Sequence, residues 1–227
     1  MCGRYKLTTP TGEIFDTFSL GGNRLNLPLR FNIAPTQEAP VIRSFPTGRQ
    51  LAIMRWGLVP QWAPDTKMAA SAINARAETV AEKPTFREAL RARRCLIPAD
   101  GFYEWTTSGK TKQPHLFQIA DGGVFAFAGL WERWEKGGEP LETFTIIVTD
   151  ANSSVSHIHH RMPVILTPDQ WERWLDVEKY DVAAILPLLQ SPSVVLTTTR
   201  VSQKLNKVGN DDPSVLEEEP EKEPTLF

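Results

Sequence analysis

Short apolar runs, rich in Val, Ile, Phe and Thr and bounded by Gly, Pro, Asp and Ser, recur along most of the chain and predict strands. They fall at Val41–Phe45, Leu51–Trp56, Cys95–Pro98, His115–Ile119, Val124–Trp131, Phe144–Thr149, Pro163–Leu166 and Val194–Thr199. Asp121-Gly122-Gly123, between two of these runs, reads as a hairpin turn. Helical signals are fewer. Thr85-Phe-Arg-Glu88 has the form of a capping box opening a helix to about Arg94, and Thr167-Pro168-Asp169-Gln170 is a second box with proline at the first helical position. Asp181–Leu186 predicts a third helix, stopped by Pro187. Strands that follow one another without long intervening helices argue against βαβ winding. The expected class is α+β, with a β-rich antiparallel barrel- or sandwich-like core and a few peripheral helices.

Length and charge refine this picture. The 227 residues suit one large domain. The run Asp211–Phe227 holds seven acidic residues and one lysine, leaving 24 basic against 20 acidic groups over residues 1–210. A single domain over 1–210 with a flexible acidic tail over 211–227 is therefore expected. A net charge of +4 on the domain permits an anionic partner without requiring one. No stretch approaches the roughly 18–20 apolar residues of a membrane helix, and no apolar segment follows Met1-Cys-Gly-Arg-Tyr-Lys6 to make a secretory signal. Two cysteines give no disulfide framework, so a reduced, cytoplasmic protein without membrane contact is expected. Neither phosphate-cradling glycine motif occurs, so no nucleotide cofactor is called for.

Cys2 is the most informative residue. Removal of Met1 would leave a cysteine whose free α-amine neighbours its thiol. Such a 1,2-aminothiol attacks an aldehyde through nitrogen to give an imine, then closes through sulfur to a thiazolidine. An α-amine is roughly 14% neutral at pH 7, whereas a lysine is roughly 0.04% neutral. The thiol is a few per cent thiolate, and nearby cations such as Arg4 would soften it further. Cys95, in an apolar run, reads as buried and inert.

Several polar groups stand inside otherwise apolar motifs. Asn74, Arg76 and Glu78 alternate with alanines and share one face if extended, either towards solvent or towards a ligand. Glu104 stands between Tyr103 and Trp105, where desolvation would raise its pKa and suit it to acid–base work; pairing to an arginine is the alternative. His157, His159 and His160 cluster, but in an extended segment the first two face away from the third, so proton transfer is favoured over a metal site. Arg161 can contact a phosphate or a carboxylate. Asn32 and Trp56 can shape turns and core, and Trp62, on a polar loop, can stack on a base or pack.

Taken together, Met1-Cys-Gly-Arg4, Phe31-Asn-Ile-Ala-Pro35, Trp56-Gly-Leu-Val-Pro60, Ile73-Asn-Ala-Arg-Ala-Glu-Thr79, Pro98-Ala-Asp-Gly-Phe-Tyr-Glu-Trp105 and Ile158-His-His-Arg-Met-Pro163 resemble the motifs of the SOS response-associated peptidase (SRAP) family of abasic site processing proteins, in the family's order. Val208-Gly-Asn210 is similar to its closing motif. The resemblance implies a β-rich fold with a positively charged channel for single-stranded DNA. It also implies covalent capture of abasic sites as a thiazolidine on the N-terminal cysteine. By motif position Cys2 is the nucleophile, Asn74 positions the sugar, Glu104 is the acid/base, and His159 assists ring opening and reversal. Arg4, Arg76 and Arg161 are the implied phosphate contacts, with Asn32 and Trp62 as further DNA-binding positions. No metal or other cofactor is implied, and a monomer is expected. The competing reading is an N-terminal-nucleophile cysteine peptidase, with Cys2, His159 and Asn74 as thiol, base and orienter. Only Met1 precedes Cys2, so no sizeable propeptide is expected.

Overall fold

A computed structural model describes residues 2–22, 25–109, 111–120, 122–190 and 194–220. Thirteen strands form among them: β1 (Tyr5–Leu7), β2 (Arg30–Ile33), β3 (Glu38–Phe45), β4 (Gly48–Trp56), β5 (Asn74–Arg76), β6 (Arg94–Ala99), β7 (Gly101–Ser108), β8 (Thr111–Ile119), β9 (Phe125–Trp134), β10 (Leu141–Asp150), β11 (Arg161–Pro163), β12 (Ile165–Leu166) and β13 (Leu196–Arg200). Four short α-helices lie outside them: α1 (Thr11–Thr17), α2 (Arg87–Ala92), α3 (Pro168–Leu175) and α4 (Val182–Ile185). None of the described helices is long and apolar enough to cross a membrane.

The strands make two sheets, as an α+β protein with a β-rich core requires. One is five-stranded and antiparallel, in the order β13-β8-β7-β1-β2. In the other, β10-β4-β3-β6-β9 closes on itself through the β9–β10 pairing, which makes a small barrel. The barrel is not wholly antiparallel, because β10 runs parallel to both β4 and β5. Its wall is tightest at Gly129, where a Cβ would lie 2.0 Å from Ile97 Cδ1 and 3.1 Å from Cys95 Sγ, so only glycine fits. Tyr5, Phe102 and Phe127 interlock edge-to-face between the five-stranded sheet and the barrel, and Trp56 packs on Tyr5 and Phe144.

Three expectations from the sequence need correction. The turn at Gly122-Gly123 joins no hairpin: β8 and β9 lie in different sheets, and Asp121 lies outside the described residues. The Thr85–Glu88 capping box does not form. The α2 helix begins two residues later, without a side-chain cap, while Arg94 is already in β6. Pro187 does not stop the third helix but enters the first turn of a 3-10 segment, Leu186–Leu189, that prolongs it. The Thr167 box does form, with Gln170 Oε1 accepting the Thr167 N–H at 3.1 Å.

The acidic tail is docked for its first ten residues, so flexibility from Asp211 onwards is overturned. Asp211 accepts from Arg30 Nε at 2.5 Å and from the Asn32 backbone N–H at 2.8 Å. Pro213–Leu216 forms a 3-10 turn with Val215 buried, and Glu219 accepts from the Gln203 N–H at 2.9 Å. Residues 221–227 lie outside the described residues.

Candidate active site

The segment before β1 carries Cys2 into the core, where its side chain is fully buried. Its Sγ is 3.9 Å from the Arg4 carbonyl oxygen. Burial drives the thiol well above its usual pKa, and the Glu104 charge adds to the shift. The sulfur is therefore held as a neutral thiol. Arg4 does not soften it through its side chain: that guanidinium is turned onto Asn32 Oδ1 at 2.8 Å and the Leu205 carbonyl at 3.0 Å.

Glu104 lies on β7. Alternation puts Phe102, Glu104 and Thr106 on the face towards the barrel, while Tyr103 and Trp105 turn to the other face and pack with Val201, Leu205 and Val215. The flanking aromatics of the sequence are thus not what buries the carboxylate; the seam between sheet and barrel is. Burial pushes Glu104 up to about 7. At neutral pH such a carboxyl is close to half ionised, the condition in which one group both takes and returns a proton.

His159 reaches Glu104 from the barrel side, with Nδ1 4.0 Å from Glu104 Oε1. The Arg161 N–H donates to the same Nδ1 at 3.0 Å. The connection between β10 and β11 is a series of turns, not an extended segment, so His159 and His160 stack at 4.5 Å instead of facing apart. Burial lowers the His159 pKa, which favours the neutral imidazole.

Asn74 opens β5, which pairs with β10 at Ile146. Its Nδ2 donates to the Ile73 carbonyl at 3.0 Å, and the same oxygen accepts Trp56 Nε1 at 2.8 Å. Asn74 Oδ1 is a buried acceptor without a hydrogen-bond partner among the described residues. The strand ends at Arg76, which is exposed opposite Val148; Glu78 lies beyond it. Arg161 opens β11 opposite Asp150, at the same end of β10. It pairs with Glu78 and, at 3.4 Å, with Asp150.

Asn32 is a structural hub: its Nδ2 contacts the carbonyls of Leu205, Lys207 and Asn210, and its Oδ1 takes Arg4. Trp62 is 52% exposed on a loop held by Lys136 Nζ on the Trp62 carbonyl and by Trp134 Nε1 on the Ala63 carbonyl. Cys95 is buried within the barrel wall.

Two neighbours of the site escape a linear reading. Tyr5, in the same core, has a buried hydroxyl without a hydrogen-bond partner among the described residues. His115 stands directly opposite Glu104 on β8, with Nε2 3.1 Å from Thr106 Oγ1. The β7–β8 register is the signal that finds it. Among the described residues no group of three or more His, Cys, Asp or Glu is arranged to hold a metal ion.

The family model of SOS response associated peptidase (SRAP) matches residues 1–208. Abasic site processing protein YoqW of Bacillus subtilis is 40% identical over 225 residues, covering 96% of this chain and 99% of that protein. Abasic site processing protein HMCES of Gallus gallus is 35% identical over 219 residues, covering 82% of this chain and 65% of that protein. A crystal structure of a protein from Bacteroides thetaiotaomicron superposes with a TM-score of 0.86 at 29% identity, over 96% of this chain and all of that one.

Proposed function

The chain belongs to the SOS response-associated peptidase family, and from that premise we propose that it processes abasic sites in DNA by covalent capture on Cys2. The observation that carries the reading is a buried Cys2 thiol that feels the charge of Glu104, a carboxyl poised near neutrality with the His159 ring 4.0 Å from it. The relatives named abasic site processing proteins, which match almost the whole chain, support the substrate. An abasic site is the DNA lesion that offers an aldehyde, and single-stranded DNA leaves that sugar free to enter a buried seam.

The chemistry follows from the protonation states. Removal of Met1 frees the Cys2 α-amine. Its nitrogen adds to the C1 aldehyde of the ring-opened sugar, and the resulting carbinolamine loses its hydroxyl as water to give a protonated imine that keeps its N–H. Glu104, as the carboxylic acid, donates the proton that the departing hydroxyl takes. The resulting carboxylate then accepts the proton of the Cys2 thiol as sulfur adds to the imine carbon. That proton restores Glu104 as the acid, the ring nitrogen keeps the hydrogen it carried in the carbinolamine, and the net loss is one water. A thiol held neutral by burial makes this nitrogen-first order the natural one. Asn74 Oδ1 is an open acceptor for a sugar hydroxyl, and His159 assists ring opening and reversal.

A peptidase would instead need a thiolate poised on an imidazole. Burial holds Cys2 protonated, and the Arg161 backbone occupies His159 Nδ1, which disfavours that use of the pair. The test is denaturing electrophoresis with an abasic oligonucleotide. An adduct should form with the wild type and vanish in a variant that retains Met1; its persistence there would refute the role of the amine.

A further inference from the structure

Arg161 stands two residues after His159 and, on the reading above, meets a DNA phosphate, yet in this structure its guanidinium is already engaged by anions. It pairs with Glu78, from the loop after β5, and lies 3.4 Å from Asp150 Oδ1. The arginine is 19% exposed, Glu78 44% and Asp150 77%. The carboxylates thus sit on the solvent side of a mostly buried cation, where an incoming phosphate must approach. Across the end of β10, Arg76 is exposed, opposite Val148. A guanidinium binds carboxylate and phosphate through the same planar fork, so the two anions compete for the same donors.

We infer that Glu78 limits the reversible affinity for the strand: it occupies Arg161 as an internal stand-in for phosphate, so that strand binding at this position is an exchange of anions. The inference rests on the proposed function and deepens it. Exchange lowers the affinity for every strand alike, because phosphate carries no sequence or lesion information. An intact strand, held only reversibly, is then released, whereas an abasic strand is retained by the covalent bond.

The experiment is a double-mutant cycle on Glu78→Gln and Arg161→Gln, read by the Kd for an intact single-stranded oligonucleotide and by the crosslinking rate on an abasic one at saturation. Glu78→Gln should bind the intact strand about two- to fivefold tighter, the scale set by a partly exposed ion pair. Its saturated crosslinking rate should be unchanged. In the Arg161→Gln background the same change should give no tightening. Unchanged or weaker binding by Glu78→Gln would overturn the inference. Equal tightening in both backgrounds would overturn it too, by showing only a general charge effect. A wild type that binds the intact strand but forms no adduct would sink the proposed function instead, since the affinity cycle does not need the covalent step.

Discussion

Asn32 and Asn74 are both buried asparagines on short strands, and they differ in what their amides do. Asn32 spends its side chain on the protein itself, with three backbone carbonyls on one end and Arg4 on the other. Asn74 makes one bond to its neighbour's carbonyl and leaves Oδ1 without a hydrogen-bond partner among the described residues. A buried acceptor without a partner costs free energy, so its survival calls for an explanation, and a ligand that supplies the missing donor is one. The same contrast separates the cysteines. Both are buried thiols raised by desolvation, but Cys2 also feels Glu104, whereas Cys95 is set against Ile97 and Gly129 in the barrel wall. Saturated polar groups build the fold, and unsaturated ones mark where chemistry is expected.

The sharpest break of that comparison is between the thiols. Cys2→Ala should abolish the adduct on a denaturing gel, while Cys95→Ala should leave it intact. Glu104 comes next. Its folded pKa of about 7 lies above the ordinary 4.5, so the protonated form is favoured on folding. Stability should therefore be full below pH about 4.5 and fall as pH rises through about 7. Glu104→Gln should remove that fall, stabilising the protein at pH 8 by up to about 3 kcal/mol in urea titrations, while slowing crosslinking by about 10²-fold or more. A variant that is no more stable at pH 8 would mean that the carboxyl is not strained by its surroundings.

The asparagines should separate stability from rate. Asn32→Leu strands Arg4 and three carbonyls and should cost about 3 kcal/mol of stability. Asn74→Leu removes an unmet acceptor and should cost under about 1 kcal/mol, yet slow saturated crosslinking by about tenfold or more. The reverse pattern would undo the distinction. The smallest effect is at the rim: Arg76→Ala should weaken strand binding and flatten the plot of log Kd against log salt by about 0.7.

Much of the frame was legible because strands advertise themselves in apolar runs. Every run picked out in the sequence contains strand residues, from Val41–Phe45 to Val194–Thr199. The short strands β1, β2 and β5 were not legible, since three or four residues carry too little pattern and form only because longer partners pair with them. β7 was hidden because its alternation is broken by the adjacent aromatics Phe102-Tyr103 and the polar run Thr106-Thr107-Ser108. The Thr85 box failed because a local cap signal competes with tertiary packing, whereas the Thr167 box, reinforced by Pro168, held. For the site, residue types in motifs pointed to Cys2, Glu104 and His159, which the fold brings together. What the sequence hid was orientation: which face Glu104 takes, that Arg4 turns to Asn32, and that Glu78 reaches Arg161 across 83 positions.

The central claim is tested most directly by intact-mass spectrometry of the protein mixed with an abasic single-stranded oligonucleotide. One species should appear at the mass of the chain without Met1 plus the oligonucleotide, less one water. A mixture in which no such species forms, or an adduct on chains that still begin with methionine, would contradict it.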